Sequence, residues 1–389
     1  MEKIYRLPDA MKKVMVDSFN IVSALGSGAE VNFDQLLKGN SGVTEHYKSN
    51  IDSNPIWVSL VEDNQLEVGT LGNYSHYEKL LIAAIEGTQQ KASFDLSGDD
   101  TLFVFSTTKG NISLLETESA TLELTGHLNL FNSAKLVTTY FKNKNKPVVI
   151  SNACISGVMA LLYAQRILSS GQYRHVVVAG ADTISKFVYS GFQSFQALSP
   201  GPCQPFSEAR CGINLGEAGA AILLTAHDNA TNIPDSIYIG GGSISNDSNH
   251  ISGPSRNGAE LSKVITAAIK TSGLTVADID FVSAHGTATP YNDEMEAKAF
   301  HLSGLKTTPV NSLKGYFGHT LGAAGLVESA ICILSLQKGV AVASKGYKSP
   351  GVFPELNILE SPLYKPMKNC LKTASGFGGC NAAIVFSRN

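Results

Sequence analysis

Ala164-Gln165-Arg166-Ile167-Leu168-Ser169 returns 166 residues later as Ala330-Ile331-Cys332-Ile333-Leu334-Ser335. Ala220-Ala221-Ile222 returns 162 residues later as Ala382-Ala383-Ile384. Either match alone is within reach of chance. Two at nearly the same spacing point to a duplicated α/β unit. Working back from the first match sets Cys154 opposite Thr320, next to His319. Each of these positions follows a Pro-led strand, at Pro147 and Pro309. In a pseudo-twofold arrangement equivalent helix N-termini face one another, which would bring Cys154 and His319 together at the centre.

Strand and helix patterns alternate along the chain, as α/β layering requires. Val14 to Val16, Leu102 to Phe105, Val148 to Ile150, Val176 to Gly180 and Ala220 to Leu224 read as strands in the first half. Phe281 to Ser283, Pro309 to Asn311 and Ala382 to Phe386 do so in the second. Tyr77 to Ile85 has helical periodicity. No low-complexity linker divides the chain. The repeat suggests one half over residues 1–235, carrying the cysteine, and another over 236–389. With 43% hydrophobic and 16% charged residues and 36 glycines, close packing of helices and sheets is expected. The net charge is −3 and no basic block occurs, so nucleic acid is an unexpected ligand. Met1 to Lys13 lacks an apolar core of signal-peptide length, and no window of about 18 apolar residues is recognised, so neither membrane insertion nor export is expected. Six cysteines without CxxC or Cys/His zinc spacing fit a cytoplasmic protein with free thiols.

Cys154 lies in Ser151-Asn152-Ala153-Cys154-Ile155-Ser156-Gly157, between the strand Val148 to Ile150 and the apolar stretch Val158 to Leu168. A free cysteine is more often a small core residue. A thiol at a helix start, however, meets unpaired amides and the positive end of the helix dipole, which favour thiolate. His285 lies in Ser283-Ala284-His285-Gly286-Thr287-Ala288-Thr289-Pro290, where a lone His would usually be structural. His319 precedes a helix rich in small residues, Gly322 to Gly325, and a helix N-terminus favours neutral imidazole. Lys314 on an exposed turn would be ordinary. Glu328 is not, because it interrupts the apolar run from Leu321 to Leu334 and needs a buried partner. Asp293 and Glu296 read as structural residues in the first turn of a helix. In Gly376-Phe377-Gly378-Gly379 the bare glycines let backbone amides approach a substrate, as an oxyanion hole requires. One cysteine, two histidines and one lysine in glycine-rich turns suggest acyl transfer through a thioester.

Assembled in this order, the motifs resemble those of the β-ketoacyl-acyl carrier protein synthases, the elongating ketosynthases of type II fatty-acid and polyketide synthesis. The matching segments are Asn152 to Gly157, Ala284 to Pro290, Lys314 with Gly318-His319, Gly322 to Gly325 with Glu328, and Gly376 to Gly379. The similarity runs from about Val14 to Phe386 and is strong from Ser151 onward. It implies the thiolase fold, an α/β architecture of duplicated halves in five αβαβα layers. It implies that Cys154 takes the acyl chain, with its own backbone amide and that of Ser375 as the oxyanion hole. It further implies that His285 and His319 stabilise the enolate from a decarboxylating malonyl thioester, that Lys314 and Glu328 hold them, and that Thr287 and Thr289 bind the pantetheine arm. No metal or other cofactor is implied, the substrates being carried on the phosphopantetheine of acyl carrier protein. A homodimer, or a heterodimer with a ketosynthase-like subunit, is implied too, pairing through a strand near the nucleophile, expected at Val176 to Gly180.

The sequence departs from the family where Ser375 replaces a gating Phe beside Gly376 and Phe377, where Ser207 replaces a common Asp, and where Gln204 replaces an expected Arg. These changes suggest a specialised enzyme, for a polyene or other secondary lipid. Two alternatives stand beside elongation. One is a chain-length-factor-like partner subunit, against which Cys154 argues. The other is a coenzyme A-dependent thiolase or initiating synthase.

Overall fold

The computed structural model describes residues 12–66, 73–117, 122–227, 233–247, 253 and 255–389. Most of the charged segment Met1 to Lys13 therefore lies outside the described residues. Among the described residues ten strands follow one another in a mixed sheet of two halves, and a short strand Gly26–Ser27 pairs beside the first of them. In the first half these are β1 (Lys13–Ser23), β2 (Thr101–Ser106), β3 (Val148–Ile150), β4 (His175–Asp182) and β5 (Ala218–His227). In the second they are β6 (Ile237–Asn246), β7 (Phe281–Ser283), β8 (Val310–Asn311), β9 (Asn369–Gly376) and β10 (Cys380–Arg388).

The first half has the order β1-β5-β4-β2-β3 and the second β6-β10-β9-β7-β8, strand for strand the same. Pairing sense repeats as well. β1/β5 and β5/β4 are antiparallel while β4/β2 and β2/β3 are parallel, and β6/β10, β10/β9, β9/β7 and β7/β8 follow the same pattern. Within this sheet the halves join where Val14 and Met15 pair with Ile239 and Tyr238. Ala220 and Ala382 are thus equivalent places in β5 and β10, whereas Ala164 and Ala330 both fall in central helices but stand two positions out of register.

Helices complete five layers. α1 (His76–Gln89) covers the outer face of the first sheet, and α4 (Ala259–Thr271) covers that of the second. Between the sheets lie α2 (Ser156–Ser169) and α6 (Ala324–Lys338). β4 is buried along its whole length because helices cover both faces, so it reads as a continuous apolar run rather than an alternating one. α6 is buried from Ala324 to Leu336 for the same reason.

Three expectations change here. A helical window apolar enough to cross a membrane does occur, Leu321–Lys338, with mean hydropathy 1.3. It is 89% buried inside the protein, and its uniform apolarity answers to the two sheets enclosing it. The strand Val176 to Gly180 cannot pair across an interface, because β4 is hydrogen-bonded to β2 on one side and β5 on the other. The sheet edge nearest the nucleophile is β3, whose three residues are half-buried. Finally, the central helices begin at Ser156 and Ala324, which aligns Cys154 with Gly322 rather than Thr320.

Candidate active site

β3 delivers Cys154 through a tight turn. Ala153 adopts φ +44°, a left-handed conformation that costs energy for a residue with a Cβ. Ser156 holds the turn by donating to the Ala153 carbonyl at 2.6 Å and accepting from the Asn152 amide at 2.8 Å. The equivalent turn in the second half places Leu321 at φ +51°. Asp182 ties the two together. It accepts from the Gly322 amide at 2.7 Å and from Thr107 Oγ1 at 2.7 Å, with further bonds from Thr108 and Lys109.

The sequence-distant residues meet. His319 Nε2 lies 2.9 Å from Cys154 Sγ. The His285 ring is 5.2 Å from the His319 ring, nearly perpendicular to it. Ligand atoms of Cys154, His285 and His319 all lie within 4.8 Å of one another, a geometry that could hold a metal ion. Two buried ammonium groups behind them, Lys314 and Lys372, oppose a dication there.

The His285 turn is held from the side of α5 (Pro290–Leu302). Glu296 accepts from the amides of His285 and Gly286, and Asp293 from those of Thr287 and Phe206. Burial raises both carboxyls, Asp293 to about 7 with Glu296 adding to the effect. Asp293 stands in the first turn of α5, as expected, whereas Glu296 stands one turn further on; both brace backbone amides. Thr287 and Thr289 share a hydrogen bond of 2.8 Å and face the same cavity as Cys154.

Lys314 is fully buried rather than on an exposed turn, in a short helix Lys314–Phe317. It pairs with Glu328 Oε1. Burial draws its pKa down, against the pull of Glu328. Sequence reasoning did not find the second partner. Lys372 Nζ lies 2.6 Å from Glu328 Oε2 and is equally buried. The signal was present, since Lys372 interrupts the buried strand Cys370-Leu371-Lys372-Thr373-Ala374 just as Glu328 interrupts α6.

Protonation differs in cause from the sequence expectation. Burial, then the Lys314 charge, holds both imidazoles well below the ordinary 6.5, and Lys372 adds to this at each ring. Both are therefore neutral near pH 7. Cys154 departs further from expectation. Burial pushes its thiol from 9.0 up to about 12, with Cys380 adding and Lys314 opposing. That rise corresponds to about 4 kcal/mol, whereas a helix N-terminus supplies ~0.3–1 kcal/mol. Burial wins, so the resting group is a thiol beside a neutral imidazole.

β9 ends against the nucleophile. A Cβ on Gly376 would stand 3.0 Å from the Cys154 amide nitrogen, so glycine brings the Ser375–Gly376 backbone beside that amide. Ser375 Oγ donates to Asn381 Oδ1 at 2.8 Å. Ser375, Gly376 and Phe377 all line a cavity of about 470 Å³ that Cys154, His285 and His319 line too. Its mouth is aromatic. Phe377 packs 5.5 Å from Phe192 and 5.1 Å from Phe195, both from the segment of α3 (Lys186–Ser194) and the residues after it. Neither Phe192 nor Phe195 is distinguishable from core aromatics in the sequence. The exposed Cys211 also lines this cavity.

Family models described as Beta-ketoacyl synthase, N-terminal domain and C-terminal domain match residues 97–230 and 237–348. A putative polyketide beta-ketoacyl synthase 1 from Streptomyces halstedii is 30% identical over 270 residues, which span 65% of this chain and 63% of that protein. A putative mitochondrial 3-oxoacyl-[acyl-carrier-protein] synthase from Schizosaccharomyces pombe is 25% identical, over 97% of this chain and 99% of its own. Among solved structures, the ishigamide ketosynthase/chain length factor superposes with a TM-score of 0.86 at 21% identity, covering 98% of this chain and 100% of that one. This last likeness is one of fold, and the fold is that of thiolase.

Proposed function

The chain belongs to the beta-ketoacyl synthase family, and from that premise we propose that it elongates acyl thioesters by decarboxylative condensation with malonyl-acyl carrier protein. The observation that carries this reading is the 2.9 Å contact between Cys154 Sγ and His319 Nε2, both of which line the same cavity. In the first half-reaction Cys154 attacks the acyl thioester carbonyl. Its proton passes to His319, and from there to the departing pantetheine thiolate, while the acyl–sulfur bond forms on Cys154. The amides of Cys154 and Ser375 receive the oxyanion.

In the second half-reaction the malonyl thioester loses carbon dioxide. The enolate oxygen that remains accepts hydrogen bonds from His285 and His319, and neutral imidazoles suit that role. The carbanion attacks the acyl-Cys154 carbonyl, a carbon–carbon bond forms, and the Cys154 thiolate leaves and takes up one proton from solvent. The product is a 3-oxoacyl chain longer by two carbons. Thr287 and Thr289, which line the cavity, bind the pantetheine arm.

A second ketosynthase-like subunit, a copy or a relative, pairs along the β3 edge and continues the sheet. The relatives named as acyl carrier protein synthase and as ketosynthase/chain length factor support both partners. The test is intact mass spectrometry of Cys154 after incubation with acyl carrier proteins, run beside release of carbon dioxide from malonyl carrier protein. Acylation with decarboxylation is expected. Acylation from coenzyme A alone would favour an initiating synthase or thiolase, and neither reaction would favour a chain-length-factor-like role.

A further inference from the structure

We propose that Lys372 is a positioning residue for His285, an inference that rests on the decarboxylating reading above. Lys372 leaves β9 opposite Ser283 of β7, in parallel register. Its ammonium then turns back onto the backbone. It donates to the carbonyls of Ser283 at 3.3 Å, Ala284 at 3.1 Å and Thr373 at 2.7 Å, and lies 2.6 Å from Glu328 Oε2. An ammonium has three protons and no acceptor, so every direction it can donate is taken up.

Two of those carbonyls belong to the residues just before His285. The amides of His285 and Gly286 are held from the other side by Glu296, at 2.8 and 2.6 Å. Thr373, next to Lys372, donates to that same Glu296 at 3.3 Å. Four successive residues, 283 to 286, are thus gripped by one buried cation and one buried anion. Lys372 adds what Glu296 cannot. It links the His285 turn to Glu328 on α6, which also takes Lys314 from the segment leading to His319. One carboxylate therefore sets the two histidine-bearing segments relative to each other.

The alternative is that Lys372 serves stability alone. Glu328 already has Lys314, so a second buried ammonium leaves the trio with a net positive charge. Burying an excess charge is costly, which makes it a poor device for stability. It is an effective device for geometry, because a misplacement of about 1 Å in such a site costs on the order of 100-fold in rate.

The experiment compares the half-reactions in wild type, Lys372→Met and Lys372→Arg. In Lys372→Met, kcat for release of carbon dioxide from malonyl carrier protein should fall about 100-fold. KM, and the rate at which Cys154 is acylated, should each stay within about threefold of wild type. Lys372→Arg should recover about tenfold of that loss. Equal losses in both half-reactions that track a lower Tm would overturn the proposal, as would no loss in either. Should Lys372→Met not fold, Lys372→Arg is compared directly with wild type by the same split. A readout independent of turnover separates this proposal from the functional reading. The 15N-labelled imidazole signals of His285 should move in the variants while those of His46 and His301 stay. Unmoved His285 signals would sink the Lys372 proposal. A wild type that releases no carbon dioxide would sink only the decarboxylating reading.

Discussion

Gly157 and Gly325 abut where the two central helices meet. A Cβ on Gly157 would stand 2.8 Å from the Leu326 amide nitrogen, and one on Gly325 would stand 2.5 Å from that of Val158. Neither contact can be relieved by rotating a side chain, because both obstacles are backbone. This approach lets the turn before α2 and the turn before α6 place Cys154 and His319 in contact.

Gly157→Ala or Gly325→Ala should therefore push the helices apart. Overpacking of this kind costs about 1–3 kcal/mol. Urea denaturation should show that loss, and alkylation of Cys154 should respond differently to pH once His319 has withdrawn. Full stability in both variants would mean that the helices slide freely past each other.

Thiol labelling should run in an order opposite to the one the helix-start argument suggests. Cys211 is exposed, whereas Cys154 is buried with its thiol raised to about 12. Iodoacetamide should mark Cys211 first. Cys154 labelling in Cys211→Ser should rise steadily with pH through 9 without a plateau. A plateau near neutral pH would show a resting thiolate.

Glu328→Gln leaves two buried ammonium groups without their shared counter-ion, and breaking such a site by removing one partner costs about 3–5 kcal/mol. Lys314→Met leaves Glu328 paired with Lys372 and should cost less than half as much. Chemical denaturation of the two variants side by side gives the comparison. Equal losses would contradict the shared carboxylate.

His285 and His319 should stay neutral well below pH 6.5, since burial and the nearby lysines lower both. In the unfolded chain they return to ordinary values. As pH falls through 6.5 the unfolded state binds protons first, and these two groups then subtract stability. Imidazole NMR signals of both should show no titration midpoint near the ordinary 6.5, and His319→Gln should flatten the acid loss of stability relative to wild type. A midpoint near 6.5 for either ring would contradict this.

Ser375→Phe should narrow the cavity beside Cys154 and sharpen selection among acyl chains. One methylene in an apolar pocket is worth roughly 1–3 kcal/mol. The measurement is kcat/KM for acyl carrier proteins of graded length and unsaturation. The variant also loses the bond to Asn381, so a Ser375→Ala control removes that contribution. A length profile unchanged from the control would mean that Ser375 stands off the acyl path.

The duplicated halves were legible in the sequence because the repeat is written in side chains. The apolar faces of α2 and α6 contact equivalent strands, so both helices carry small and apolar residues, although Ala164 to Ser169 and Ala330 to Ser335 stand two positions out of register. Cys154, His285 and His319 were legible too, since each sits in a short glycine-marked turn, and Glu328 stood out as a charge in an apolar helix. What the sequence could not decide were quantities set by surroundings that are distant along the chain. The state of the Cys154 thiol depends on how much water reaches it, which helix start alone does not give. The place of β4 inside the sheet depends on which strands flank it, and an apolar strand reads alike at the edge or in the middle. Whether Lys314 is exposed, and whether Lys372 joins Glu328, is decided when β9, α6 and the His285 turn come together. Burial and pairing are properties of the assembled layers, and only the tertiary structure supplies them.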